Sequence, residues 1–216
     1  MRYSRAVRGH LGSPWQRFLA APHTLGPTAG AREAWHRGRA TYAVWAFLLD
    51  DPRVSRRCAA VAARLLAHGA RPAAQPHVTV FVAGFPCPAA SRDDDVTLMR
   101  LERQRARAAA LDVRPLLTIG GATSFLTCAV LEVSAELAPL RAALAAESRE
   151  VRFEPYLPHV TAAIYQDSRP TAPLAAALEP LRELEPFEVR PCGLDLVVFD
   201  ARRAGAPLAS AARVGY

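Results

Sequence analysis

Two short stretches of the chain carry the same chemistry. One reads Gln75-Pro76-His77-Val78-Thr79-Val80-Phe81 and the other Leu157-Pro158-His159-Val160-Thr161-Ala162-Ala163. In each, a histidine follows a proline and precedes a threonine by two residues. An imidazole titrates near neutrality, at about 6.5, so one neutral ring can take a proton while a second, charged ring gives one. A threonine hydroxyl can donate to a phosphoryl oxygen and steady the charge that grows there. Two imidazoles and two hydroxyls around one cleft suit the attack of water on phosphorus. His77, Thr79, His159 and Thr161 are therefore the expected catalytic residues, with one histidine as general base and the other as general acid.

Each motif opens an apolar run that reads as a β-strand, the first over roughly 78–82 and ended by the Gly84-Phe85-Pro86-Cys87-Pro88 stretch, the second from His159 to about Tyr165. Residues two apart on a strand share a face, so His77 and Thr79 project together, as do His159 and Thr161. Strict alternation carries those faces on to Phe81 in the first copy and to Ala163 and Tyr165 in the second. Tyr165 is thus expected to line the pocket.

The rest of the chain reads as supports for these two strands. Tyr42–Leu49 is a buried-strand candidate, and Asp51 with Pro52 marks the start of a helix that runs to His68 and stops at Gly69. A helix is expected over 96–110, a short strand over 115–119, a turn at Gly120-Gly121 and a strand over 125–133. A helix over 135–147 capped by Ser134 precedes the second motif strand. A helix carrying Leu174 and Leu178 follows, with closing strands at 187–189 and 194–199. This loose internal duplication predicts an α+β fold of two lobes, with pseudo-duplicated antiparallel sheets around a central cleft and helices packed outside. The expected divisions are a basic extension over 1–40, the bilobal domain over 41–200 and a tail over 201–216. Within the extension, Trp15, Phe18 and Leu19 are candidates to anchor a short helix.

Composition narrows the chemistry. The 216 residues are 51% apolar, as a folded globular chain requires. All 27 basic residues are arginine, which excludes any ligation route through a lysine–AMP adduct. The first forty residues hold seven arginines against one acid, so weak, salt-sensitive attraction to a nucleic-acid backbone is expected. Arg100, Arg103, Arg105 and Arg107 read as a solvated helix face, with guidance of a phosphate backbone as the competing reading. Cys58, Cys87, Cys128 and Cys192 form no CxxC or Cys/His cluster, which points to a reducing compartment, although two disulfides also fit the count. Two histidines without a third ligand in rhythm make a poor metal site, and no metal or cofactor is expected. No apolar run is long enough to span a membrane. A cytoplasmic monomer is the expectation.

The paired His-x-Thr strands resemble the hallmark of the two-histidine phosphoesterase superfamily, which includes bacterial RNA 2′,5′-ligase-like proteins and eukaryotic cyclic phosphodiesterases. The resemblance covers roughly residues 41–200, with Ala162 standing where a larger apolar residue is usual. It implies a phosphoric diester hydrolase that opens a 2′,3′-cyclic phosphate on a small nucleotide or an RNA end, leaving a 2′-phosphomonoester. It further implies one histidine as base and the other as acid, taken as His159 and His77 with the reverse order also open, and Trp45 as a ring that stacks on a base or ribose. The competing reading of Trp45 is a core indole. The competing function is an RNA- or nucleotide-binding module that uses the same cleft without turnover.

Overall fold

The computed structural model describes residues 14–28, 30–111, 113–151 and 155–216. The stretch 1–13 of the basic extension lies outside the described residues. The first half of the chain runs α1 (14–20), α2 (Ala31–His36), β1 (Thr41–Leu48), α3 (Pro52–Leu66), β2 (Ala70–Pro72), β3 (His77–Cys87), β4 (Asp95–Thr97) and α4 (Leu98–Ala109). The second half runs β5 (Leu117–Ser124), β6 (Cys128–Ser134), α5 (Ala138–Ala145), β7 (His159–Tyr165), α6 (Thr171–Leu178), β8 (Phe187–Val189), β9 (Gly193–Asp200) and β10 (Ala209–Gly215).

The strands form one sheet in the order β10-β9-β1-β3-β7-β6-β5-β8, with β4 added to β3 and β2 added to β7. All pairings are antiparallel except β3 with β4. The expected α+β fold is observed, and each lobe is one half of this sheet. The first motif strand, β3, ends one half; the second, β7, begins the other. The two are neighbours.

Helices cover one face. Val54 and Leu65 of α3, Leu101 of α4, Leu144 of α5 and Leu174 of α6 share a core with Val78, Val80, Val160 and Ala162 of the motif strands. Helix α3 starts as its sequence demands: the Asp51 carboxylate accepts from the Arg53 N–H at 2.8 Å, and Pro52 occupies the first turn, where its missing N–H costs nothing. Gly69, with φ of 79°, lets the chain turn back into β2. On the opposite face of the first half, Tyr42, Val44, Ala46 and Phe85 pack beneath Trp35 of α2.

Four local expectations are corrected. Gly120-Gly121 does not turn the chain; β5 runs through both, and the hairpin turn comes at 125–127. A side chain at Gly121 would meet the Arg182 carbonyl oxygen at 2.0 Å, so glycine is there for close backbone approach. Strand β3 continues to Cys87 rather than stopping before Gly84, because β4 pairs with Phe85, Pro86 and Cys87. Ser134 ends β6 and does not cap α5, which begins at Ala138. The expected tail supplies β10, the strand at one edge of the sheet.

Candidate active site

Each motif histidine is oriented by its own chain. The His77 Nδ1 lies 2.8 Å from the Gln75 carbonyl oxygen, and the His159 Nδ1 lies 2.7 Å from the Leu157 carbonyl oxygen. A carbonyl can only accept, so each Nδ1 carries the proton and donates. That fixes the tautomer and makes Nε2 the basic nitrogen of each neutral ring. The proline between carbonyl and histidine limits the backbone to one entry into the strand. The same device occurs in both copies.

Register brings the two copies together. Val78 pairs with Val160, antiparallel. Continuing that pairing one residue each way sets His77 level with Thr161 and His159 level with Thr79. The two histidines are then diagonal neighbours on one face, with Cα atoms about 7–8 Å apart. All four side chains are half-buried, while Val78 and Val160 between them are fully buried on the helix side. Neither threonine hydroxyl bonds to a protein partner among the described residues, so both remain available to a bound anion.

The strands then part. Beyond Val160 the same edge of β7 is taken by β2, through Ala70 with Tyr165 and Pro72 with Ala163, and the Ala73 N–H donates to the Ala162 carbonyl at 3.0 Å. The corresponding edge of β3 is served by side chains and by the segment before β7. Tyr156 donates its hydroxyl to the Thr79 carbonyl at 3.0 Å, Arg141 donates to the Val80 carbonyl, and the Glu150 carboxylate accepts from the Val82 N–H at 3.1 Å. Arg141 and Glu150 are themselves paired at 2.6 Å, and the Arg141 guanidinium lies 3.7 Å from the centre of the Tyr156 ring. Buried backbone groups need partners, and here they find them without a strand.

A β-bulge follows the threonine in each copy. Trp45 pairs with Phe81 but Ala46 pairs with Thr79, which leaves Val80 without a partner on β1. Ala129 pairs with Ala163 but Val130 pairs with Thr161, which leaves Ala162 without a partner on β6. The extra residue flips the alternation, so Val80 and Phe81 are both buried, as are Ala162 and Ala163. From His77 and from His159 the burial pattern is identical over seven residues.

That flip corrects the expectation for Tyr165. Its ring is 1% exposed, stacked on Phe18 at 6.3 Å, with its hydroxyl 2.7 Å from the Ser124 hydroxyl. Trp45 is corrected too. Ala46 and Leu48 stand opposite Thr79 and His77, so the alternate residue Trp45 points into the helix-covered core. It is fully buried, and its Nε1–H donates to the Gln104 Oε1 of α4 at 2.8 Å. Neither ring reaches the histidine face.

Two other residues sit beside the pair. The Phe125 ring meets the His159 ring edge-on at 5.0 Å between centres. Glu132 is the cross-strand partner of His159 on β6. Sequence spacing could not find Glu132, because the β6–β7 register brings it there from a distant part of the chain. Burial holds the His77 imidazole below its ordinary 6.5, against a smaller opposing pull from its bond to the Gln75 carbonyl. Among the described residues, no three His, Cys, Asp or Glu side chains gather as metal ligands, and all four cysteines are free thiols. No helix among them is long and apolar enough to cross a membrane.

The profile described as the 2′-5′ RNA ligase superfamily matches residues 43–203, about three quarters of the chain. The chain belongs to that superfamily. Two solved structures show the same fold. E. coli LigT in apo form is 15% identical, with 82% of this chain and 97% of that chain covered and a TM-score of 0.54. TT0787 of Thermus thermophilus is 16% identical, with 81% and 97% covered and a TM-score of 0.57. A search of curated proteins found no match. The superfamily match contains both His-x-Thr motifs and excludes residues 14–42.

Proposed function

We propose that the protein hydrolyses a cyclic phosphodiester, a 2′,3′-cyclic nucleotide or the 2′,3′-cyclic phosphate of an RNA end, by acid–base catalysis between His77 and His159. The observation that carries this reading is the adjacency of the two motifs at Val78 and Val160, with each ring held through Nδ1 in the same tautomer. Superfamily membership supports it.

The phosphate sits across the diagonal between the two Nε2 atoms. One imidazole takes a proton from water as the water oxygen bonds to phosphorus. The other gives its proton to the ribose oxygen as the P–O bond to the ring breaks, leaving a 2′-phosphomonoester. One proton is accepted and one donated, so the pair ends the cycle with its charges exchanged and solvent restores them. Each transfer contributes roughly 10²–10⁴-fold. Thr79 and Thr161 donate to the non-bridging oxygens, where negative charge is held in the transition state. We take His159 as the base and His77 as the acid. Burial of His77 favours its neutral form in the free protein, whereas the phosphate's negative charge draws its proton back in the complex, so the acid role is taken up on substrate binding.

The test is turnover of a 2′,3′-cyclic mononucleotide in chelator by wild type, His77→Ala and His159→Ala. Loss in both variants is expected, with the nucleoside 2′-monophosphate as wild-type product. Equal turnover in all three proteins sinks the assigned site. Tight binding of the nucleotide with no product from wild type favours the binding-module reading instead.

A further inference from the structure

The segment before the superfamily domain is built into the second half of the sheet. The Thr24 N–H donates to the Arg169 carbonyl at 2.8 Å, and the Thr24 hydroxyl both donates to the Asp167 carbonyl at 3.0 Å and accepts from the Arg169 N–H at 2.9 Å. The Leu25 N–H donates to the Leu126 carbonyl at 2.7 Å, and His23 bridges to Pro170. Trp15 and Phe18 of α1 are buried, and the Arg182 guanidinium lies 4.0 Å from the centre of the Trp15 ring. Gly26 has no room for a side chain, since a Cβ there would meet the Asp167 Cα at 2.6 Å. A segment anchored at so many points is a fixed wall.

What it walls is a hollow of about 440 Å³ next to His159. Pro14, Arg17 and Leu25 form one side, Phe125 and Leu126 of the β5–β6 turn form another, and Leu157 and His159 lie at the entry of β7. The volume falls in the range of small-molecule sites, and the lining is largely apolar with a few polar atoms, as such sites are. Phe125 supplies an aromatic ring at the wall and already touches His159. Cys128 also borders the hollow, and burial pushes its thiol up to about 11, so it adds no charge at neutral pH. Arg17 is the guanidinium of the lining among the described residues. An anionic ligand with a flat, weakly polar body fits this chemistry: the phosphate at the histidines, the body against Phe125, Leu126 and Leu25.

We propose that residues 14–25 complete the substrate site, by closing a hollow beside His159 that takes the nucleobase of the nucleotide whose phosphate lies at the two histidines. The proposal rests on the phosphodiesterase reading for the position of the phosphate. Pro14, Arg17 and Leu25 all lie before the superfamily match, and the wall they form sets which base, and how large a base, is accepted.

Leu25 allows a test that spares the fold, because its side chain is 56% exposed. Leu25→Trp fills the hollow. Leu19→Trp, on α1 but away from the hollow and 53% exposed, is the control. Calorimetry measures the affinity of each protein for adenosine 2′-monophosphate and for inorganic phosphate. Wild type and Leu19→Trp are expected to prefer the nucleotide by about tenfold or more, the scale of a base stacked on an aromatic ring. Leu25→Trp is expected to lose that preference while binding phosphate unchanged. Equal affinity of wild type for the two ligands, including binding of neither, overturns the proposal, as does a preference retained in Leu25→Trp. Turnover is read separately on the same wild-type protein. Nucleotide preference without hydrolysis keeps the hollow and removes the enzyme reading; hydrolysis with the preference intact in Leu25→Trp does the reverse.

Discussion

Val78 and Val160 are directly paired, and this is where the two halves of the sheet meet at the motif strands. Both side chains point into the helix-covered core, so the residues on either side of each must point the other way. One buried contact between two valines thus presents two histidines and two threonines on a common face. It also joins the strands that carry them, so a change at the contact is felt on both sides. Val78→Ala is expected to cost about 2 kcal/mol of stability from lost burial and the cavity left behind. It is expected to lower kcat more than it raises KM, since the histidines lose their common footing. Urea denaturation and steady-state kinetics check the two parts.

Trp45 and Tyr165 separate core from cleft. Trp45→Phe removes the indole donor to the Gln104 Oε1 in a fully buried setting, which costs about 1–3 kcal/mol. Tyr165→Phe removes the bond to the Ser124 hydroxyl and costs about 1 kcal/mol. Both variants are expected to keep kcat/KM within about twofold once folded, because neither ring touches the histidine face. A tenfold rise in KM with unchanged denaturation midpoint in either variant would restore that ring to the substrate site.

These two rings also mark what a reader of the sequence can and cannot see. The duplicated motif, its strand character and the shared face of His and Thr are visible because alternation is local. The face of β1 is not, since all but the first of its eight residues are apolar and either set could be inward. The bulges at Val80 and Ala162 are invisible for another reason: they are set by pairing with β1 and β6, and nothing within the motif strands announces them. The Gly120-Gly121 pair carries a turn signature, yet both lie within β5 and Gly121 serves close packing against the Arg182 backbone. Strand β10, reading Ala-Ser-Ala-Ala-Arg-Val-Gly, has too few large apolar residues to show a period. In the N-terminal segment, Trp15 and Phe18 did signal the anchored helix, whereas Leu19 remains exposed.

Arg141 tests how the parting of β3 and β7 is held open. It serves the Val80 carbonyl and Glu150 together, and both members of the ion pair are mostly shielded. Arg141→Met keeps the stem but removes the donor to the Val80 carbonyl and one cationic partner of the Glu150 carboxylate. A loss of about 2–3 kcal/mol is expected, the scale of hydrogen bonds to charged groups. Glu150→Gln in the Arg141→Met background should recover part of that loss by removing a mostly shielded charge that has lost the Arg141 guanidinium. Chemical denaturation of the single and double variants decides it; no recovery would mean that the carboxylate finds another cation.

Acid stability follows from His77. Its folded pKa lies below its ordinary 6.5, so the unfolded chain binds the proton more readily. Its contribution to stability is therefore complete above pH 6.5 and is lost as pH falls through the folded value. His77→Asn cannot titrate. The stability of wild type relative to His77→Asn is expected to decline on acidification below pH 6.5 and to be level above it. Parallel stability curves for the two proteins across that window would contradict the burial effect.

The central claim is that the two motifs act on one phosphate, and the most direct measurement of it is a kinetic cycle. Single-turnover rates on a 2′,3′-cyclic mononucleotide are compared for wild type, His77→Ala, His159→Ala and the double variant. Groups that work in one transition state are strongly non-additive. The account predicts that each single variant loses roughly 10²–10⁴-fold and that the double variant is little slower than the slower single one. Losses that multiply in the double variant would mean that the histidines act independently, and would contradict a shared site.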